Sequence, residues 1–190
     1  MADLGTVPGV YHLANNPQLF EPQRANNFEL QIMDIDDLAP AQATSIDAGT
    51  QRILNGEEII RLSIDSATVP SYTQEAITID YGNNKFKFAG KPTFNNLPLQ
   101  VIDYIGADPK AVLMAWQKLS YDVKNQTVGR ASDYKKTAYL VEYTPDYQVV
   151  RTWEIRGCWL SSLTYDNFTQ AGGKKNISAT IEYDYAFISD

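Results

Sequence analysis

The chain has 190 residues, of which 23 are Asp or Glu and 16 are Lys or Arg, so its formal net charge is -7 at pH 7. An acidic surface repels phosphate and lacks the counterion release that drives nucleic-acid binding, which argues against a DNA- or RNA-binding protein. With 44% hydrophobic residues, a chain of this length can bury one sizeable core. We therefore predict a single domain over residues 1–190.

The first 26 residues are rich in Pro, Asn, Gly and Gln and show no steady hydrophobic period, which predicts an extended arm. This segment has neither the basic nor the apolar region of a signal peptide, and the lone Cys158 excludes an intrachain disulfide. We therefore expect synthesis in a cytosol without processing. No apolar stretch approaches the ~20 residues of a membrane-spanning helix, so we expect no membrane anchoring.

Alternating apolar and polar residues predict strands in the first third of the chain. Phe28, Leu30 and Ile32 alternate with polar neighbours, and residues 33–57 that follow have the composition of a loop insertion with a short helical turn. A second strand is predicted over residues 58–67 from three alternating aliphatic residues, Ile60, Leu62 and Ile64.

A hairpin is predicted next. Val69 and Pro70 must interrupt the ladder, because proline lacks the donor N–H. Residues 76–81 form a third strand, and the sequence Gly82-Asn83-Asn84 tolerates positive φ and predicts a tight turn into a returning strand. A further strand over residues 94–105 is indicated by the alternation of Leu97, Leu99 and Val101.

One helix is predicted from its start signals. Asp108 is a good N-cap residue, and Pro109 stands at the first helical position, where its missing N–H costs nothing. The apolar residues that follow form one stripe, which favours packing of one face on a sheet: Val112, Leu113, Trp116 and Leu119. Residues 120–134 are then predicted to form a long polar loop.

The C-terminal part of the chain returns to strand patterns. Strands are predicted over residues 137–143, 148–157 and 159–165, with a turn at 144–146 and another at Gly172 and Gly173. The final strand has the clearest alternation. One face is predicted to carry Ile177, Ala179, Ile181, Tyr183, Tyr185 and Phe187, and the other Ser178, Thr180, Glu182 and Asp184. The fold class is thus mainly β, an antiparallel sandwich or partly closed barrel with one flanking helix.

The sequence contains no convincing catalytic, metal or cofactor site. His12 has no carboxylate at a useful spacing, and Cys158 lies within a strand pattern, which is typical of a buried structural cysteine. An acidic cluster at Asp34 opens like a calcium loop but lacks the glycine and glutamate that an EF-hand requires. A Gly172-Gly173-Lys174-Lys175 segment lacks the first glycine of a phosphate-binding loop. We therefore predict a protein that is not an enzyme, with no cofactor, that assembles with copies of itself.

Several segments, in order, resemble the tail tube proteins of contractile-tailed bacteriophages of the T4 type. They are NFELQI from Asn27, ATVP from Ala67, AGKPTF from Ala89, AWQ from Ala115, DYKKTA from Asp133, EIRGCW from Glu154 and YDY from Tyr183. The resemblance covers about four fifths of the chain. The chain departs from the family pattern in its longer arm and in the insertion at residues 33–57.

The resemblance implies a barrel-like pair of β-sheets with one helix. It also implies a virion protein, assembled in the bacterial cytoplasm, whose hexameric rings stack into a tube inside a contractile sheath. DNA would pass through the lumen without specific binding, and the other partners would be baseplate and tail terminator proteins. Two alternatives remain: the tube of a phage-like injection particle or tailocin, and a monomeric β-barrel binding module.

Three groups of residues are candidates for assembly surfaces. A hairpin that reaches from one ring to the next is assigned to Val69, Pro70, Gly82, Asn83, Asn84, Lys85 and Lys91. Contacts between subunits are assigned to Tyr134, Lys135 and Lys136. A lumen-facing surface, where hydroxyls and carboxylates would repel DNA, is assigned to Ser178, Thr180, Glu182 and Asp184.

Overall fold

A computed structural model of the protein describes residues 21–40, 44–47, 50–170 and 172–189; of residues 44–47 and 50–53, only the backbone is described. His12 and most of the predicted N-terminal arm lie outside these ranges. Within them, the chain is mainly β, as predicted. The strands are β1 (Phe28–Ile32), β2 (Thr44–Asp47), β3 (Thr50–Ile53), β4 (Ile64–Ala67), β5 (Tyr72–Tyr81), β6 (Asn84–Phe94), β7 (Leu97–Ile102), β8 (Tyr121–Asp122), β9 (Thr127–Val128), β10 (Lys136–Tyr143), β11 (Val149–Tyr165), β12 (Asn176–Glu182) and β13 (Tyr185–Ser189).

Helices join these strands at three places: α1 (Gly56–Ser63), α2 (Pro109–Ser120) and the short α3 (Ala131–Tyr134), with a 3-10 turn at Asp36–Leu38. The start of α2 is as predicted, since the Asp108 side chain accepts a hydrogen bond from the N–H of Ala111 at 3.1 Å. The prediction of one flanking helix needs a correction, because α1 is a second helix, and it packs on β1.

Helix α1 includes residues 58–63 of the segment 58–67, for which the sequence predicts a strand. Asn55 caps it: its side chain accepts from the N–H of Glu58 at 2.8 Å, and the Glu58 carboxylate accepts from the N–H of Asn55. Ile59 and Ile60 are buried side by side, whereas Leu62 is 65% exposed. The strand prediction was wrong because it took Ile60, Leu62 and Ile64 as one face, and the capping box starts a helix in which Leu62 points away from the core.

The main sheet is antiparallel and has seven strands, in the order β1, β10, β11, β12, β7, β4, with β13 also paired to β11. Strand β11 divides it in two. Sheet I contains β1, β10, β13 and the first part of β11, and sheet II contains the second part of β11 with β12, β7 and β4. Side chains from both sheets and from α1 and α2 form one hydrophobic core, which includes Leu30, Leu99, Trp116, Leu140 and Ile177.

Gly157 marks the division within β11. Residues 148–157 and 159–165 were predicted as separate strands, but they form one continuous strand that bends where Gly157 adopts a φ of 70°. Opposite the bend, β12 ends at Glu182 and β13 begins at Tyr185. Between these two strands, the N–H of Asp184 donates to the carbonyl of Arg156 at 3.0 Å. The carboxylate of Asp184 fills the space beside the Cα of Gly157.

The break at Asp184 corrects the predicted last strand, which is two strands rather than one. Ile177, Ala179 and Ile181 are buried as expected. After the break the alternation shifts by one residue, so that Ala186 packs on the core while Tyr185 and Phe187 are exposed and stack on each other with ring centroids 6.2 Å apart. Tyr185 and Phe187 therefore do not share the inward face of Ile177.

Replacing Gly157 by alanine should destabilise the subunit. A left-handed conformation costs an ordinary residue about 1–2 kcal/mol, and the new Cβ would also displace the Asp184 carboxylate. We expect the unfolding free energy of unassembled subunits, measured in urea, to fall by about 2 kcal/mol or more. The control is Gly106→Ala, where the added Cβ meets open space. Equal stability of the two variants would contradict the role assigned to the bend.

Candidate assembly surfaces

The predicted hairpin is present and protrudes from the body. Strands β5 and β6 pair with each other, and Tyr81 is opposite Asn84, so the turn consists of Gly82 and Asn83. Gly82 has a φ of 60°, which suits glycine at the first central position of a two-residue turn. Every side chain of β5 is exposed, as are nearly all those of β6. The tip candidates Asn84 and Lys85 are therefore open to contact by another molecule.

The base of the hairpin is fixed to the body by aromatic side chains. The Tyr183 hydroxyl donates to the carbonyl of Ser71 and accepts from its N–H, both at 3.2 Å. The ring of Phe94 lies 5.7 Å from that of Tyr183 and 5.6 Å from that of Tyr72. Pro70 is buried beneath them. The sequence indicates only a core position for Tyr183, because the alternation in the last strand gives no sign that its hydroxyl reaches a distant loop.

The hairpin candidates thus divide into two groups. Pro70 belongs to the buried base, so its part is to set the direction of the hairpin. Val69 and Lys91 are exposed near the base, whereas the remaining candidates occupy the tip. The structure therefore keeps the predicted hairpin together as one unit that the body holds at one end.

The three predicted contact residues after the polar loop are largely engaged within the chain. The Tyr134 carbonyl accepts a hydrogen bond from Trp116 Nε1 at 2.8 Å, and its ring meets that of Trp159 edge to face. Lys135 Nζ lies 2.7 Å from both carboxylate oxygens of Asp184. Lys136 begins β10, opposite Cys158. These contacts hold α3 and β10 against the bend of β11, and the contact of this cluster with another copy stays a prediction.

The predicted loop at residues 120–134 also has more structure than expected. Strands β8 and β9 form a small hairpin within it, and α3 follows. Gly129 closes this hairpin onto the end of α2, where its N–H donates to the Ser120 carbonyl at 2.9 Å. The polar composition of the segment gave no period long enough to indicate two-residue strands.

The outward face of sheet II is lined by small polar side chains. Ser178 and Thr180 are half-buried on this face of β12, as is Glu182. Ser178 lies opposite Gln100 on one side and Thr164 on the other, and its hydroxyl donates to Gln100 Oε1 at 3.1 Å. We call this surface the polar face; it consists of Ser66, Pro98, Gln100, Ser162, Thr164, Asn176, Ser178, Thr180 and Glu182, and the same register places Ile102 opposite Asn176 and Trp159 opposite Glu182 at its two ends.

Asp184, the fourth lumen candidate, is not part of the polar face. It lies beyond the end of β12, where it pairs with Lys135 beside Gly157. The structure therefore brings together three of the four lumen candidates and places the fourth at the junction of the two sheets.

In the described part of the chain, sheet II ends in an unpaired edge on each side. Among the described residues, β4 pairs only with β7, and residues 159–165 of β11 pair only with β12. Such edges leave a row of backbone donors and acceptors on which another strand can pair. Along the edge at residues 159–165 runs a groove of about 630 Å³ whose walls include Met114, Val123, Trp159 and Tyr165.

The described residues contain no cluster of three or more His, Cys, Asp or Glu side chains that would hold a metal ion. Cys158 is buried, and burial raises the pKa of its thiol to about 12. In the segment 172–175, Lys174 pairs with Asp65 at 2.5 Å and Lys175 lies over the ring of Phe168. Both lysines therefore contact other side chains of the same chain. No helix in the described part of the chain is long and apolar enough to cross a membrane.

Comparison with known proteins places these features in context. An alignment of 96 residues with the tail tube protein gp19 of Enterobacteria phage T4 shows 28% identity and covers 50% of this chain and 59% of the phage protein. The aligned part is therefore less than two thirds of the length of this curated relative. The predicted resemblance to phage tail tube proteins is confirmed. No protein-family model matches the chain.

Solved structures extend the likeness to almost the whole fold. A chain of the sheath–tube complex of PVC, an extracellular contractile injection system, superposes with a TM-score of 0.62 at 15% identity and covers 95% of this chain and 97% of its own. The tube-terminating cap of the anti-feeding prophage gives 0.61 at 15% identity, over 100% of this chain and 99% of its own. The described architecture is therefore the fold found in tail tubes and contractile injection systems.

Cys158 should be inert in the folded subunit. Because burial raises the pKa of the thiol to about 12, the reactive thiolate is scarce at pH 8 in the folded state, whereas an unfolded cysteine titrates near its ordinary value. A thiol reagent such as Ellman's reagent should leave native subunits unlabelled at pH 8 and label them fully in urea. Rapid, stoichiometric labelling of the native protein would contradict this assignment.

Proposed function

We propose that the chain is a structural subunit of a contractile tail tube, without catalytic activity. Hexameric rings of it stack into a hollow tube inside a contractile sheath, and DNA passes through the lumen into the host. The observation that carries the proposal is the combination of tail tube homology with a sheet that, among the described residues, has two unpaired edges and a polar outward face. A monomeric binding module would leave these edges and the protruding hairpin without a purpose.

Ring closure follows from the two edges of sheet II. Strand β4 and residues 159–165 lie on opposite sides of the same sheet, so the edge of one copy can pair with the other edge of the next. Such head-to-tail contacts form a closed ring when the rotation between copies completes a circle. Each copy then contributes four strands to one continuous wall, and no edge of sheet II remains open.

The polar face then lines the channel. The polar side chains of this face carry hydroxyl and amide groups and one carboxylate, that of Glu182. None of them is Lys or Arg. A wall of this kind gives DNA phosphates nothing to pair with, so the duplex slides without being held. The formal charge of -7 on each subunit acts in the same direction.

Partners other than the chain itself follow from the same function. The sheath would surround the tube, and baseplate and tail terminator proteins would cap its ends. The fold relatives come from a sheath–tube complex and from a cap that terminates a tube, which supports partners of these kinds. The protein would be part of the virion tail and would assemble in the bacterial cytoplasm.

A second candidate is the tube of a phage-like injection particle or tailocin. The structural likeness to an extracellular contractile injection system and to the anti-feeding prophage favours it. The two candidates share one fold and one mode of assembly and differ in cargo. Capsid and terminase genes beside the coding gene would indicate a phage, and their absence from a complete tail cluster would indicate an injection particle.

Assembly of the purified protein tests the function directly. Negative-stain electron microscopy should show rings and hollow tubes, and deletion of residues 82–85 should leave rings that no longer stack, because the hairpin tip that reaches the next ring is lost. A control is Val149→Ala, which changes an exposed residue of sheet I and leaves the hairpin and the ends of sheet II intact. Long tubes from the deletion variant would remove the hairpin from the inter-ring contact, and a monomeric wild-type protein at all concentrations would contradict the tube itself.

A further inference from the structure

The hairpin carries an apolar stripe on one of its faces. Ile77 lies opposite Phe88 and Ile79 opposite Phe86, so these four side chains share a face, and the ring of Tyr81 meets that of Phe86 at 6.1 Å. Each of the five is at least 51% exposed. A contiguous apolar surface of this kind on an acidic, assembling protein indicates a binding surface. The hairpin therefore brings to its partner a hydrophobic face as well as a polar one.

A second apolar surface lies at the opposite end of sheet II. Ile105 is fully exposed, with Tyr104 half-exposed beside it, and Phe168 is 92% exposed. Ile105 follows β7 and Phe168 precedes β12, and the two loops are joined where the N–H of Asp103 donates to the Lys175 carbonyl at 2.9 Å. We call Tyr104, Ile105 and Phe168 the loop patch.

The strand register fixes the positions of these two surfaces. The hairpin leaves the sheet after Ala67 and returns at Leu97, which is opposite Ile181. The loop patch lies beyond the other end of the same strands, where Val101 is opposite Ile177. The stripe and the patch therefore lie at opposite ends of sheet II, so that copies stacked along the strand direction bring the stripe of one against the patch of the next. A head-to-tail contact of this type does not close, and so it continues along a tube.

The charge difference between the two ends is small. The hairpin has three lysines, Lys85, Lys87 and Lys91, against Glu75 and Asp80. The loops around the patch contain Asp103, Asp108 and Asp166 and also Lys174 and Lys175, and Lys175 lies over the ring of Phe168. The contact between the two ends therefore depends on the apolar side chains rather than on charge pairing.

We infer that the loop patch is the receiving surface for the hairpin of a copy in the adjacent ring. Ile105 and Phe168 cover the apolar side chains of the stripe. This inference rests on the proposed tube and adds the identity of the surface that the hairpin contacts.

Two variants that each damage one side of this contact test it. Ile105→Asp removes the patch and keeps the hairpin, whereas Phe86→Asp damages the hairpin and keeps the patch; both positions are exposed, so the subunits should fold. Each variant alone should form rings, and the protein concentration required for tube formation should rise at least about tenfold. Mixing preformed rings of the two variants should give pairs of rings, because the intact hairpins of an Ile105→Asp ring then meet the intact patches of a Phe86→Asp ring. Stacks of more than two rings should not form, because the two outer surfaces of such a pair are both damaged.

Ile105→Leu is the matched control and should form tubes like the wild type. Val123→Asp places the same charge at a residue that is 77% exposed in the groove beside β11. Tubes of normal length from Ile105→Asp, or a mixture without ring pairs, would overturn the inference. Loss of stacking in Val123→Asp but not in Ile105→Asp would assign the hairpin to the groove instead. In each case tubes of the wild-type protein show that the proposed function stands, and their absence shows that it fails.

Discussion

Strand β11 is 17 residues long, and the left-handed conformation of Gly157 lets it serve two sheets. At about 3.3 Å per residue it spans about 55 Å, more than one face of a small core can cover. Its first part therefore pairs with β10 and β13 in sheet I, and its second part pairs with β12 in sheet II. Asp184, between β12 and β13, lies beside the bend, and its carboxylate pairs there with Lys135.

The surfaces that we assign to assembly depend on this bend. Because β10 stops pairing at Cys158, residues 159–165 have one edge to which no other described strand is paired, and sheet II can be extended there by another copy. Because β12 ends at Glu182, the next residue, Tyr183, is free to reach Ser71 and hold the base of the hairpin. One backbone irregularity thus provides both the lateral edge and the direction of the hairpin.

Local sequence signals predicted the parts of the fold that depend on local chemistry. Asp108 and Pro109 mark the start of α2, and the alternation of Ile177, Ala179 and Ile181 gives the correct inward face of β12. Helix α1 was missed although its capping box, Asn55 with Glu58, is visible in the sequence, because a short run of alternating aliphatic residues fits a strand equally well.

The remaining differences arise from contacts between distant residues. No local pattern shows that Asp184 lies beside Gly157, and this contact ends β12 and turns Tyr185 outward. For the same reason Asp184 was grouped with Ser178 on one face, and its ion pair with Lys135 was not predicted. The hairpin was predictable because Gly82 and Asn83 specify its turn, whereas the loop patch at the far end of sheet II follows only from the strand register.

A cryo-EM reconstruction of the assembled particle tests the central claim most directly. The account predicts a hollow tube in which β4 of one copy is hydrogen-bonded to residues 159–165 of the next, with Ser178, Thr180 and Glu182 directed toward the axis. A tube in which these three side chains lie on the outer surface, or in which the two edges of sheet II remain unpaired, would contradict it.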